Sequence, residues 1–226
     1  MKLSTTKLKD KLTDVERDSQ LIEKLTIKAP NFQSASFRIV GTAPYMQHKF
    51  RAKAIAKMRD AMVTGKKMAS SKREKRDFEQ EYEEATYKGR TGIRGIPASA
   101  FRTAAVSACR LVGFKMTVAK LAIFIEADDY DFEDRTPLIE IHGERYKTIE
   151  PVRNATGGCD LRARPCWDEW YAHVCIRWDG DIFNATDILN LLCRIGLQVG
   201  IGEGRADSKS SAGIGYGSFD VETANV

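Results

Sequence analysis

The stretch Trp170-Tyr171-Ala172-His173-Val174-Cys175-Ile176-Arg177-Trp178 decides how the rest of this chain is read. Its apolar residues fall on every second position. Ala172, Val174, Ile176 and Trp178 share one face, and Tyr171, His173, Cys175 and Arg177 share the other. That period of two is a β-strand with one buried and one solvated side. A strand of this kind belongs in an antiparallel sheet whose helices cover a single face. Just downstream, Asn184 and Asp187 stand at the spacing of a helix capping box, and Ile188, Leu191, Leu192 and Ile195 make one apolar helical stripe that ends at Gly196. A glycine-rich segment follows, and Tyr216 to Glu222 reads as a closing strand.

Upstream, the β-branched and aromatic run from Ser34 to Gly41 reads as a first strand stopped by Pro44. Gly95-Ile96-Pro97-Ala98-Ser99 opens a helix over 98–112, where Phe101, Ala104, Ala105, Ala108, Cys109 and Val112 keep one stripe until Gly113. The alternation of Ala119, Leu121, Ile123 and Ile125 with the residues between them predicts a second strand over 118–126. The order is strand, helix, strand, strand, helix, strand. It predicts an α+β, ferredoxin-like core of the kind RNA-recognition modules use, with the polar side of the third strand left open. Residues 1–33 read as an N-terminal arm and 34–226 as the domain, which two long insertions interrupt. The first, 44–92, is charged and helical, with Ala54, Ile55, Met58, Ala61 and Met62 on one face. The second, 128–168, is loop-like, with a hairpin expected around His142-Gly143 and a flexible stretch from Asn154 to Gly158.

The 226 residues are 42% hydrophobic, enough to fill one decorated core, and the formal charge is +5. The excess is concentrated in Arg51, Lys53, Lys57, Arg59, Lys66, Lys67, Lys72, Arg73, Lys75 and Arg76, with Glu79, Glu81, Glu83 and Glu84 as a counter-run. Such a block is either a phosphate-seeking surface or a solvated helix face. The cysteines at 109, 159, 166, 175 and 193 are odd in number and contain no C-x-x-C pair, which fits reduced thiols in a cytoplasmic protein. No apolar window approaches a membrane span, so no membrane association is expected.

The most specific local signal is Val199-Gly200-Ile201-Gly202-Glu203-Gly204-Arg205, with Gly213, Gly215 and Gly217 behind it. It follows a helix, so it is no dinucleotide fingerprint. It is either a backbone cradle for a phosphate, helped by Arg205 and Lys209, or a turn that needs glycine to fit the fold. Further candidates for nucleic-acid contact are Arg162 and Arg164 in the second insertion, and Tyr171, His173 and Arg177 on the open strand face. Catalysis is poorly supported. His48, His142 and His173 are too scattered for a triad, and Cys166, His173 and Cys175 lack paired ligand spacing. The run Asp128, Asp129, Asp131, Glu133 and Asp134 reads as a solvated loop, so neither a metal nor a cofactor is expected.

The glycine-rich loop after the second helix, the Gly95-Ile96-Pro97-x-Ser99-x-Phe101-Arg102 entry to the first, and the two insertion points resemble the RAMP superfamily, above all the backbone subunits of CRISPR effector complexes. The likeness spans most of residues 34–222. It implies an RNA-recognition-like core with a thumb-like insertion at 128–168, and non-catalytic binding of single-stranded nucleic acid, RNA before DNA. The partners it implies are that strand and further copies of the chain, in such a complex or in a stand-alone, virus-encoded relative. Arg94, Ser99 and Arg102, with Gly202, Gly204 and Arg205, would then be guide contacts. Some members cleave RNA with a thumb aspartate, which makes Asp160 the candidate for an enzyme reading.

Overall fold

The computed structural model describes residues 27–50, 52–65, 76–153, 159–208 and 213–222, with the backbone alone at 52, 53 and 153. Residues 27–31 are exposed and irregular, and every element below lies in the unit from Phe32 onward. The architecture is mixed α+β. Strands β1 (Phe32–Gly41), β3 (Gly95–Pro97), β4 (Ile123–Ile125), β5 (Asp129–Tyr130), β6 (Pro137–Gly143), β9 (Trp170–Asp179) and β10 (Phe219–Glu222) form a seven-stranded sheet, and β2 (Tyr45–Met46), β8 (Cys159–Trp167) and β7 (Tyr146–Arg153) form a second. Every pairing in both is antiparallel. The helices are α1 (Ala52–Thr64), α2 (Phe78–Glu84), α3 (Ala98–Leu111), α4 (Met116–Ala122) and α5 (Ala185–Arg194), the last running into a π turn over Ile195–Val199.

In the large sheet β1 lies between β10 and β9, while β4 and β6 share the far edge of β9, β4 along Ile176–Trp178 and β6 along Trp170–Ala172. The alternation along β9 is as its sequence demands: Ala172, Val174, Ile176 and Trp178 are buried, and His173 and Arg177 are exposed. Phe101, Ala104, Ala105 and Ala108 of α3 and Ile188, Leu191 and Leu192 of α5 pack with that buried face in one core. Helix α5 opens on the capping box read from the sequence, Asn184 accepting from Asp187 N and Asp187 accepting from Asn184 N. No helix among the described residues is long and apolar enough to cross a membrane.

Three expectations are corrected. The second strand is only Ile123–Ile125, because Met116–Ala122 is helix α4. There Ala119, Ala122 and Ile123 are buried and Leu121 is 76% exposed, which is the helical spacing rather than alternation. The first insertion is not helical throughout. Helix α2 ends at Glu84, and the chain then forms bridges from Lys88 to Arg94 and from Gly89 to Asp131. The second insertion is built of strands rather than loop. Strand β6 joins the large sheet, while β7 and β8 form a hairpin in register from Tyr146–Cys166 to Arg153–Cys159, so the turn expected at His142-Gly143 is a crossing between sheets. Pro151 sits in β7, which pairs on one side only, where a missing N–H does no harm.

Candidate nucleic-acid interface

With the helices on one side, the other face of the large sheet is free of any described element. Direct cross-strand partners share a face, so the register assembles it: Ser34, Ser36 and Arg38 of β1 stand opposite Arg177, Cys175 and His173 of β9, Phe124 of β4 opposite Arg177, and His142 of β6 opposite Tyr171. Two aromatic–arginine clusters result. At one end Tyr171 is flanked by the His142 ring, stacked at 4.5 Å and 19°, and by the Arg38 guanidinium, 4.5 Å from its centroid. The His173 ring meets both edge-on, 6.2 Å from His142 and 6.0 Å from Tyr171. At the other end Arg177 lies 4.9 Å from the Phe32 ring and 5.1 Å from that of Phe124. Tyr171 and Arg177 are six residues apart on an extended strand, so the clusters are roughly 20 Å apart.

This face is not basic. Arg38 is paired with Glu222, Arg177 Nε lies 3.6 Å from Glu126, and His142 Nε2 lies 3.8 Å from Glu140. The Cys175 thiol donates to Glu126 Oε2 at 3.2 Å, and burial, then that bond and the neighbouring carboxylates, push its pKa up to about 11. It is therefore a poor nucleophile at neutral pH.

Of the residues singled out in the sequence, Tyr171, His173 and Arg177 share this face, the first two in one cluster and Arg177 in the other. Arg94 and Ser99 are exposed beside and at the start of α3. Arg102 is exposed, its guanidinium donating to the Lys120 and Ile123 carbonyls at the end of α4 and lying 5.4 Å from the Phe124 ring. Arg162 Nε is 3.5 Å from Asp160, which also accepts from Arg76 at 2.5 Å. Asp160 is thus flanked by two guanidiniums. Arg164 is buried, donates Nε to Glu203 at 2.6 Å, and leaves Nη2 without a hydrogen-bond partner. Arg51, Lys66, Lys67 and Lys209 lie outside the described residues, as does the side chain of Lys53, while Lys57 lies on exposed α1.

The glycine loop is a packed turn set against β2 and the segment from Gly213 to Tyr216. Gly202 has φ +79°, and a Cβ there would sit 2.5 Å from the Met46 carbonyl oxygen. Gly204, at φ +78°, is buried under Ile214 and Tyr216. Glu203 N donates to Met46 O at 2.9 Å, Gly204 O accepts from Gly215 N and Tyr216 N, and Arg205 Nη1 is tied back to Gly202 O at 3.1 Å. Through Glu203 the loop locks the β7–β8 hairpin, by Arg164, to β2.

The acidic run is likewise a scaffold and not a solvated loop. Asp131, fully buried, accepts from Lys49 Nζ at 2.8 Å and from the backbone of Lys88, Glu133 and Asp134. Asp129 accepts from Thr91 N and Oγ1, Asp134 from Thr136 N, and Asp128 from Glu140 N. Burial works against the Lys49 ammonium, but its bonds to Asp131 and Glu133 prevail and raise its pKa. Burial likewise opposes the Asp131 carboxylate, and Lys49 with three backbone donors holds its pKa low. Among the described residues no group of three or more His, Cys, Asp or Glu is arranged to hold a metal.

Arg38, Phe32 and Phe124 were not singled out in the sequence, and His142 was weighed there only for a triad and a hairpin turn. For Arg38 the signal was present, since Ser34, Ser36 and Arg38 alternate with Ala35, Phe37 and Ile39. His142 and Phe124 become neighbours only once β4 and β6 share one edge of β9. No protein-family model matches the chain, and no curated protein matches it significantly.

Proposed function

We propose that this protein is a ferredoxin-like, RAMP-like module that binds single-stranded nucleic acid, RNA before DNA, without cleaving it, as a repeated subunit of an oligomer. The observation that carries the reading is the sheet face left open among the described residues, with its Tyr171–His142–His173 and Phe32–Phe124 clusters, each bearing an arginine. Aromatic rings and guanidinium planes on an open sheet accept unpaired bases, which a duplex keeps hidden. The ferredoxin-like assignment is supported by the antiparallel order β10-β1-β9-β4, with α3 between β1 and β4 and α5 between β9 and β10. Phosphates are assigned to the basic stretch from Arg51 to Arg76. The non-catalytic reading is supported by the engagement of Asp128, Asp129, Asp131 and Asp134 in holding loops, and of Asp160 with Arg76.

A second reading, a structural assembly protein that docks on another subunit, is favoured by the acidic residues of the same face. Glu126, Asp128, Glu140 and Glu222 outnumber Arg38, Arg102 and Arg177. A gel-shift assay with single-stranded and duplex oligonucleotides, with and without a chelator, decides. Retarded, uncut single strand whose retardation is lost in Tyr171→Ala and Arg177→Ala is the expected result. Metal-dependent cutting would move the assignment to a nuclease, and no retardation at all would move it to assembly.

A further inference from the structure

We infer that the sheet face is a proton-controlled site, on which His142 and His173 must be charged for a nucleic-acid strand to bind tightly; this rests on the reading of that face as a base-stacking platform. The charged groups around the two rings come from every strand that borders them. Strand β1 brings Arg38, with Glu222 of β10 paired behind it. Strand β9 brings Arg177, Tyr171 and Cys175 alongside His173 itself. Glu126 follows β4 and is close to Arg177, and β6 brings Glu140, 3.8 Å from His142 Nε2. Asp128 accepts from Glu140 N and acts on Cys175. With both imidazoles neutral, Arg38, Arg102 and Arg177 stand among Glu126, Asp128, Glu140 and Glu222, so carboxylates are in excess by one and a polyanion is disfavoured. With both charged, cations exceed carboxylates by one, and the new positive charges sit within the ring cluster that a base would join. Histidine is the side chain that makes this change in the physiological range.

The device is local because the rings touch. His142 lies against Tyr171 at 4.5 Å, so an imidazolium there also gains from the phenol's π face, and Arg38 holds the opposite side of the same ring at 4.5 Å. His173 stands opposite Arg38 across β1–β9, so its protonation places a second cation beside the first. A polyanion bound there gains from both cations at once. Binding must then take up protons, and by linkage a bound strand must make both rings harder to deprotonate.

The test uses the full chain and a fluorescein-labelled oligouridylate of roughly 20 nucleotides, followed by anisotropy at fixed ionic strength from about pH 8 to about pH 5.5, where carboxylates remain ionised. Two exposed charge contacts, each worth a few-fold, predict affinity rising about tenfold as the pH falls. The His142→Gln/His173→Gln double variant should lose that rise, and His48→Gln, which is away from this face, should keep it. Thermal unfolding checks that the double variant folds, with either single variant as its substitute, since both side chains are on the surface. Histidine ring resonances should also titrate at higher pH when the oligonucleotide is bound. Tight binding with no pH dependence, or a rise that survives in the double variant, overturns the proton control and leaves the platform standing. No binding at any pH overturns both.

Discussion

Lys49 forms a buried ion pair with Asp131, which stands in a run of carboxylates that reads in the sequence as solvated loop. Both are buried, 82 positions apart, and they fasten the first insertion to the loop between β5 and β6. Removing Asp131 leaves the buried Lys49 ammonium with Glu133 alone and three backbone N–H groups without their acceptor, and Asp131→Ala should cost about 3–5 kcal/mol in chemical denaturation. The Asp131 pKa is lowered in the folded state, so its contribution is fully present above the unfolded aspartate value and is lost as the pH falls through the folded one. Acid unfolding of the parent should therefore be steeper than that of Lys49→Met/Asp131→Leu, which lacks the pair. The glycine loop gives a second residue-scale test. At φ near +80° an alanine costs roughly 1 kcal/mol or more by strain alone. Gly202→Ala adds a clash with the Met46 carbonyl, and Gly204→Ala meets only the side chains of Ile214 and Tyr216. The first should destabilise more than the second.

At the scale of elements, what was legible depended on how far one periodicity ran without a rival. Strand β9 alternates over its whole length and α5 carries a capping box and a four-residue stripe, so both were read nearly to their ends. Val118 to Ile125 is different. It is apolar enough to alternate and also to spiral, and local pattern does not choose between them. The choice is tertiary: Ala119 and Ala122 are small enough to bring α4 against α3, and Arg102 closes the helix by bonding the Lys120 and Ile123 carbonyls. The two readings differ at Leu121, which the strand would bury beside Ala119 and the helix exposes. Leu121→Lys should change stability by no more than about 0.5 kcal/mol, whereas Ala119→Leu should cost about 1–3 kcal/mol by overpacking. The strand-rich second insertion was read as loop around the stretch from Asn154 to Gly158, and its prolines are no bar to strands where they stand: Pro137 at a strand start, Pro151 on an edge strand, and Pro165 where the carbonyl is used by Gln47 N.

For the whole molecule, the sequence tells where positive charge is concentrated but not where carboxylates converge. The formal charge of +5 and the ten cations between Arg51 and Arg76 pointed to phosphate, and His173 and Arg177 pointed to the open face. That Glu126, Glu140 and Glu222 arrive on the same face depends on three further strands, and no local pattern announces it. The two regions must then do different work, and salt separates them. Each phosphate neutralised on a single strand contributes about −0.7 to the slope of log affinity against log salt, whereas stacking on an aromatic ring contributes almost none. Lys66→Ala/Lys67→Ala should make that slope shallower by about 1.4 and weaken all sequences alike, since phosphate contacts position without specifying. Tyr171→Ala should weaken binding and leave the slope as it is in the parent. Should the lysine pair leave the slope unchanged while Tyr171→Ala flattens it, the sheet face would be the phosphate site and the division of labour drawn here would be reversed.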